Sequence, residues 1–286
     1  MQPTRRPLSE TETRRANRGE WDRYADEYQA THGAFLTDVG FVWCPEGLQE
    51  ADIHVLGDVS GRRVLEVGCG AAQCARWLTT QGASVVGLDL SERQLQHARR
   101  IDQETGRHVP VVAGTATSLP FADRSFDVVF SAFGALQFVG DADRAVRELA
   151  RVLHPGGTFA FSVTHPVRWT MPDDPGRDGL VVTSSYWDRV PYVELDDEGQ
   201  TTYAEHHRTL GDWVALLADR GFRLLRLLEP EWPEGHDRVW AGWGPERGRL
   251  LPGTAIFAGI LEPSAAVPPA ARQGLDTGED DLGCLT

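Results

Sequence analysis

Residues 63–72 read RVLEVGCGAA, and this stretch decides the fold. Its first five residues form a short run rich in β-branched side chains, which predicts a strand. The strand leads into Gly68-Cys69-Gly70, a tight turn whose glycines let a ligand lie against bare backbone. A predicted helix over residues 72–81 follows, and its N-terminus offers free N–H groups and positive partial charge to a carboxylate or phosphate.

Strands and helices alternate along the chain after this turn. Because strand–helix–strand units cross over with right-handed geometry, this order predicts a parallel sheet with helices on both faces. We expect further strands over residues 84–88, 109–113, 126–131 and 158–163, and helices over residues 91–104 and 141–153. Later in the chain, the pattern predicts a helix over residues 210–220 and strands over residues 222–228 and 254–261.

Two segments precede this alternation. Residues 1–18 are polar, and we expect a flexible N-terminus. Within residues 19–60, the aromatic side chains Trp21, Tyr24 and Tyr28 recur at spacings of three and four. That spacing predicts an amphipathic helix with an aromatic stripe.

Residues 165–208 interrupt the alternation. Two β-like runs, residues 181–187 and 201–207, flank an acidic, turn-rich segment, which predicts an antiparallel hairpin inserted as a cap. Residues 263–286 are rich in proline and acidic residues, which predicts a disordered tail. The predicted domain therefore spans residues 19–262.

The composition limits the partners. The chain has 286 residues and a net charge of −14, and all 28 of its basic residues are arginine. This charge disfavours nucleic acid and anionic membrane, and the absence of lysine removes Schiff-base chemistry. No stretch approaches the roughly 18 apolar residues of a membrane span, and no cysteine spacing suggests a metal site. We expect a cytoplasmic monomer or homodimer that acts on a small molecule without a metal.

An acidic residue, Asp89, ends the second predicted strand. A carboxylate at this place accepts hydrogen bonds from both hydroxyls of a ribose, and open α/β sheets bind ligands at the carboxyl ends of their strands. The dinucleotide motif GxGxxG is incomplete, because Gln73 stands at its last glycine. The glycine turn and Asp89 together predict a nucleoside site, and the alternative is a tight turn with an incidental surface aspartate.

Taken together, the motifs resemble the class I S-adenosylmethionine-dependent methyltransferases, most closely the small-molecule type of quinone and natural-product pathways. This resemblance implies a Rossmann-like sheet of seven strands, mostly parallel with the last antiparallel, an N-terminal helical lid, and S-adenosylmethionine as cofactor. The segments that carry it are VLEVGCGAA (64–72), VVGLDLS (85–91), GTATSLPFADRSFDVVFSAFGALQFVGD (114–141), ELARVLHPGGTFAFSV (148–163) and HHRTLGDWVALLADRGFRLLRLLEP (206–230).

The resemblance also implies roles for individual residues. Glu66 would hold the cofactor's ammonium, Asp89 its ribose, and Leu90 would lie beside the adenine. Two positions depart from the family pattern: Ala72 replaces a loop glycine, and Thr115 replaces the aspartate that meets the adenine amine. The implied cofactor-binding residues are Glu66, Gly68, Cys69, Gly70, Asp89, Leu90, Thr115, Ala116, Ser131, Phe133 and Tyr24.

Methyl transfer is an in-line displacement, so the protein must align nucleophile, methyl and sulfur. If the nucleophile is a hydroxyl, a base must remove its proton, and histidine suits that role near pH 7. His165 follows the fifth predicted strand and His206 lies in the hairpin, and we expect these two as catalytic candidates. Aromatic residues of the later segments predict a pocket for an aromatic or apolar acceptor: Trp169, Tyr186, Trp187 and Trp232.

The sequence favours methylation at oxygen, with nitrogen or carbon possible. Two alternatives remain open. The protein could bind the cofactor without transferring methyl, as in a cyclisation or decarboxylation. It could also be a binding module with a vestigial loop, which Thr115 favours.

Overall fold

The computed structural model describes residues 2–263. Its strands are β1 (Gln2–Arg5), β2 (Arg63–Val67), β3 (Ser84–Asp89), β4 (Val111–Ala113), β5 (Phe126–Ala132), β6 (Leu153–Thr164), β7 (Tyr192–Leu195), β8 (Thr201–Glu205), β9 (Phe222–Leu228) and β10 (Thr254–Leu261). Its α-helices are α1 (Glu10–Leu36), α2 (Glu50–Ile53), α3 (Gln73–Thr80), α4 (Glu92–Thr105), α5 (Ala142–Val152), α6 (Leu210–Asp219) and α7 (Pro245–Gly248). Short 3₁₀ helices span Leu136–Phe138, Pro166–Thr170 and Arg177–Gly179. Apart from Pro263, the expected tail lies outside the described residues.

Seven strands form the main sheet in the order β4-β3-β2-β5-β6-β10-β9. Strands β2 to β6 run parallel, and β10 pairs antiparallel with both β6 and β9. This confirms the expected α/β fold, a Rossmann-like and mostly parallel sheet whose last strand is antiparallel. Helices cover both faces, so four of the five β2 residues are buried and the strand reads as a near-continuous apolar run.

Each face of the sheet carries its own hydrophobic core. On one face, Trp213 of α6 packs against Phe161, with ring centroids 5.2 Å apart. On the other face, Phe41 packs against Trp43 and Phe130 at 4.7 and 4.9 Å. Residues 41–46, which are all buried, therefore belong to the core of the domain.

The N-terminal segment is structured, contrary to the expectation of a flexible stretch over residues 1–18. Helix α1 begins at Glu10, because Ser9 and Glu12 form a reciprocal capping box. Strand β1 pairs antiparallel with β7 and completes a three-stranded sheet, β1-β7-β8. These contacts are largely made by backbone and polar side chains, so the polar composition of the segment did not reveal them.

The inserted hairpin is present, but its first strand is not where the sequence placed it. Strands β7 and β8 pair across the acidic turn, with Tyr192 opposite Glu205. The expected run over residues 181–187 forms turns and bends. The N–H groups of Thr183 and Ser184 both donate to the Thr170 carbonyl, so a 3₁₀ helix takes the bonds that a strand partner would have made.

None of the helices within residues 2–263 has both the length and the apolar character that crossing a membrane requires.

Asn17→Ala tests the structured N-terminus and should lower the free energy of unfolding by roughly 2–4 kcal/mol. The Asn17 amide donates to the carbonyls of Phe138 and Ala204 at 3.0 and 2.9 Å and accepts from the Ala204 N–H at 2.8 Å. Alanine leaves these buried groups without partners. Urea unfolding measures the loss, and Arg15→Ala on the exposed side of α1 is the control. Equal stabilities of the two variants would contradict this packing of α1.

Candidate active site

A cavity opens at the carboxyl ends of the parallel strands, beneath α1. Its volume is about 1110 Å³, including the open mouth. The turns after β2, β3, β4 and β5 form its floor, and one face of α1 forms its roof. Because open α/β sheets bind ligands at this edge, the cavity is the candidate site.

Most of the cofactor-binding residues expected from the sequence line this cavity, and two do not. Ser131 is buried in β5, and its hydroxyl has no hydrogen-bond partner among the described residues. Tyr24 packs against Trp21 and Tyr28 without being part of the lining. The residues that do line the cavity are Glu66, Gly68, Cys69, Gly70, Asp89, Leu90, Thr115, Ala116 and Phe133.

The glycine turn lies against the loop after β5. Gly68 has a φ of +73°, and a Cβ at this position would lie 2.5 Å from the backbone carbon of Gly134. Only glycine therefore allows the two loops to approach so closely. Four residues after Gly68, Ala72 adopts the left-handed conformation with φ +60° at the N-cap of α3. The glycine of the family pattern would adopt that conformation without strain, so the alanine carries a local cost.

A buried arginine fixes the back of this turn. Arg76 of α3 is fully buried and donates to the carbonyls of Ala71 and Ala98, each at 3.1 Å. Its guanidinium also bonds the Asp102 carboxylate at 2.9 and 3.0 Å. The turn, α3 and α4 are thus held together by one side chain whose charge is paired.

Asp89 lies at the end of β3 and binds the turn directly. Its Oδ2 accepts from the Gly70 N–H at 2.7 Å, and its Oδ1 accepts from the Ser91 N–H at 2.8 Å. Burial raises the pKa of this carboxyl to about 6, against the lowering effect of these hydrogen bonds. The carboxylate is therefore held in one orientation at the cavity wall.

Glu66 is the second buried acid of the cavity. Its Oε2 accepts from the Ala75 N–H at 2.9 Å. Burial raises the pKa of Glu66 to about 8, and the charge of Asp89 adds to the effect. Burial in one cavity destabilises the charged forms of both carboxyl groups. A cation bound between them would stabilise those charged forms, so the pair favours a cationic ligand.

Hydrogen bonds among three glutamines connect the roof helix α1 to α3 and α4. The Gln73 amide donates to Gln29 at 3.1 Å, and the Gln29 amide donates to Gln94 at 2.9 Å. Ser91 caps α4 by accepting from the Gln94 N–H, and the Gln94 side chain bonds α1. Tyr28 and Trp21 line the same roof, with ring centroids 5.6 Å apart.

His165 is not among the residues that line the cavity. Its Nδ1 accepts from the Val167 N–H at 3.2 Å, and its Nε2 therefore carries the proton and donates to Glu229 at 2.8 Å. Burial lowers the pKa of this imidazole. Both ring nitrogens serve local structure, since His165 caps the 3₁₀ helix Pro166–Thr170.

His206 also lies outside the cavity lining. Its Nε2 hydrogen-bonds Thr13 of α1 at 3.1 Å, and burial lowers the pKa of its ring to about 4. The neighbouring His207 bonds the Tyr186 carbonyl at 2.7 Å. Within residues 2–263, no group of three or more histidine, cysteine or acidic residues is placed to hold a metal.

The four aromatic residues expected to bind the acceptor lie elsewhere. Trp169 is buried beside Tyr192, at a ring distance of 5.6 Å. Tyr186 contacts Trp187, which is 68% exposed. Trp232 is buried and donates to the His236 carbonyl at 2.7 Å. The aromatic rings that line the cavity come instead from α1, the loop after β5 and the following 3₁₀ helix: Trp21, Tyr28, Phe133 and Phe138.

The sequence did not single out several residues of the cavity wall. On one face of α1, the helical spacing of Trp21 and Tyr28 continues back towards the N-terminus, and this spacing indicates further lining residues. The polar composition of residues 1–18 conceals that continuation. The residues of this α1 face are Glu10, Arg14 and Asn17. Gln29 of α1, Gln73 of α3 and Gln94 of α4 also line the cavity.

Residues 65–161 match the family described as Methyltransferase domain. A solved S-adenosylmethionine-dependent methyltransferase from Mesorhizobium loti superposes with a TM-score of 0.59 at 28% identity, covering 76% of this chain and 100% of that one. Residues 65–161 of this chain therefore carry a methyltransferase domain.

Curated relatives match part of the methyltransferase domain. The demethylmenaquinone methyltransferase of Corynebacterium kroppenstedtii is 33% identical over 137 residues, which cover 48% of this chain and 55% of that protein. The fatty-acid O-methyltransferase of Mycolicibacterium smegmatis is 38% identical over 118 residues, which cover 41% and 42%. The chain spans about half the length of the curated relatives it matches.

Gly68→Ala should destabilise the methyltransferase domain by more than about 2 kcal/mol, because the new Cβ meets backbone and the conformation is left-handed. Gly70→Ala is the matched control. Its φ is +52°, but its nearest new neighbour is the Gln94 side chain at 3.9 Å. The control should lose only about 1 kcal/mol. Thermal unfolding of both variants tests this, and equal losses would show that the two loops are not in contact.

Glu66→Gln should stabilise the ligand-free methyltransferase domain at pH 7.5 by roughly 1–3 kcal/mol. The folded pKa of about 8 lies above the ordinary 4.5, so the fold favours the protonated form. The stability that this carboxyl contributes is complete below pH 4.5 and is lost as pH rises to about 8. Glutamine stays neutral and still accepts from Ala75. The gain should therefore shrink towards pH 4.5 in urea unfolding, and a gain independent of pH would contradict the assignment.

Proposed function

We propose that this protein transfers a methyl group from S-adenosylmethionine to a small aromatic or apolar acceptor, with oxygen as the favoured acceptor atom. The observation that carries the proposal is the pair of buried carboxyl groups, Glu66 and Asp89, beside the glycine turn. This set fits a ligand with a cationic amino-acid end and a ribose. A pyrophosphate would meet two carboxyl groups in a desolvated site, which is unfavourable.

The residues of the cavity fit the cofactor in three parts. Glu66 would hold its ammonium, and Asp89 would accept hydrogen bonds from its ribose hydroxyls. The free N–H groups at the N-terminus of α3 would face its carboxylate. When bound, the cofactor supplies an activated methyl group on a sulfonium.

The remaining wall suits a flat or apolar acceptor. Trp21 and Tyr28 of the roof face the cavity together with Phe138 and Val139 of the segment after β5. Such a wall excludes water and orients the acceptor, and orientation alone lowers a barrier by roughly 7–11 kcal/mol. No histidine is among the lining residues of the described chain. An acceptor that ionises near neutral pH, such as an acidic phenol or a carboxylic acid, needs no histidine base.

His165 and His206 support this arrangement from outside the cavity. His206 bonds Thr13, which lies on the first turns of α1, and so holds the roof. His165 orders the segment after β6. Removing either ring would change turnover through position, so both are proposed as positioning residues.

Asp89→Ala should weaken the binding of S-adenosylhomocysteine by roughly 1.5–3 kcal/mol, because charge-assisted hydrogen bonds to the ribose are lost. Isothermal titration calorimetry measures the change. Asp219→Ala, on the exposed end of α6, is the control and should bind as the unmodified protein does. If the two variants bind alike, Asp89 does not contact the ribose.

Transfer itself is tested with S-adenosylmethionine that carries a labelled methyl group and a metabolite extract. The proposal expects labelled product and an equal amount of S-adenosylhomocysteine. Binding without S-adenosylhomocysteine would indicate a protein that uses the cofactor without transferring methyl. No binding would indicate a vestigial site.

A further inference from the structure

The two ends of the cavity define where the adenine must lie, given the proposed function. Glu66 and the glycine turn mark the amino-acid end, and Asp89 marks the ribose. The base therefore extends beyond Asp89, where Leu90, Thr115 and Ala116 line the wall. Its exocyclic amine needs an acceptor there, because a buried donor without a partner is costly.

Thr115 does not supply a carboxylate for this amine. Its hydroxyl hydrogen-bonds the Thr117 hydroxyl at 3.1 Å. Among the described residues that line the cavity, the carboxyl groups are those of Glu10, Glu66 and Asp89. Glu66 and Asp89 belong to the other parts of the cofactor, which leaves Glu10.

Glu10 reaches this end of the cavity from the first turn of α1. Its Oε1 accepts from the Thr117 hydroxyl at 3.3 Å, so two hydrogen bonds connect it to Thr115. Its Oε2 accepts from the Asp141 N–H at 2.9 Å. One oxygen is thus held firmly, while the other has only a long bond and a free lone pair.

The surroundings of Glu10 hold it in this place. A Cβ at Gly140 would lie 2.9 Å from Glu10 Oε2, so the glycine allows the carboxylate to approach the loop. Thr13, one turn later, is bonded to His206. The start of α1 is therefore fixed against the segment before α5.

We propose that Glu10 accepts the exocyclic amine of the adenine through Oε1, in place of the acid that Thr115 lacks. The carboxylate that recognises the adenine then comes from the roof helix α1 and not from the edge of the sheet. Base recognition and docking of α1 consequently depend on one another, since the carboxylate is in reach only when α1 is docked.

The test compares two nucleosides in calorimetry, S-adenosylhomocysteine and S-inosylhomocysteine, which has a carbonyl in place of the amine. The unmodified protein should prefer the adenosyl compound by roughly 10- to 100-fold, because a carboxylate accepts from the amine and repels the carbonyl. Glu10→Gln should reduce this preference to within about threefold, since a neutral amide donates to or accepts from either group. Glu27→Gln on the exposed side of α1 is the matched control and should retain the full preference.

An unchanged ratio in Glu10→Gln would overturn the proposal, even if both affinities fell together, because equal losses indicate a structural role. If Glu10→Gln does not fold, Glu10→Asp is the second variant. It keeps the charge and withdraws the carboxylate by one bond, so a full preference in Glu10→Asp would also overturn the proposal. Failure of the unmodified protein to bind S-adenosylhomocysteine would instead refute the proposed function on which this inference depends.

Discussion

The cavity depends on the burial of two carboxyl groups at neighbouring strand ends. Glu66 and Asp89 lie on adjacent strands, β2 and β3, and both are almost fully buried. Each is held by backbone N–H donors, yet burial still raises the pKa of both groups. The protein therefore retains an electrostatic cost in its ligand-free state, and a ligand with positive charge relieves it. On the function that we propose, this cost is the physical reason for preferring a sulfonium nucleoside over a phosphate-bearing one.

The roof is built on a different principle. Helix α1 is polar, and it is bound by hydrogen bonds along its length more than by an apolar stripe. Asn17 satisfies backbone groups of two segments, Asp22 bonds Ser91, and Gln29 joins two further helices. Polar contacts of this kind are specific in direction but weak individually. They suit an element that must be held in register with the site.

The sequence predicted the sheet well because its strands are short, β-branched and separated by clear helix signals. It also predicted the floor of the cavity, since the glycine turn and Asp89 fall at strand ends whose position follows from topology alone. The roof was harder. Glu10 and Arg14 lie in a segment without apolar periodicity, and the Ser9–Glu12 capping box was its one local signal of a helix start. The aromatic residues of the insertion were misleading for a related reason: Trp169 and Trp232 are buried by contacts that no pattern within the chain specifies.

The histidines show why residue type alone is a poor guide to chemistry at this edge of a sheet. A histidine after a strand has two ring nitrogens, and the backbone turning away from the sheet offers partners for both. At His165, Nδ1 accepts a hydrogen bond from the Val167 N–H and Nε2 donates one to Glu229. Burial also lowers the pKa of this imidazole. A base satisfied in this way has neither a free lone pair nor access to the cavity. On the proposed function, the chemistry of the site depends on the acceptor's own acidity and on its alignment by the walls, and His206 contributes by holding Thr13 of α1 in place.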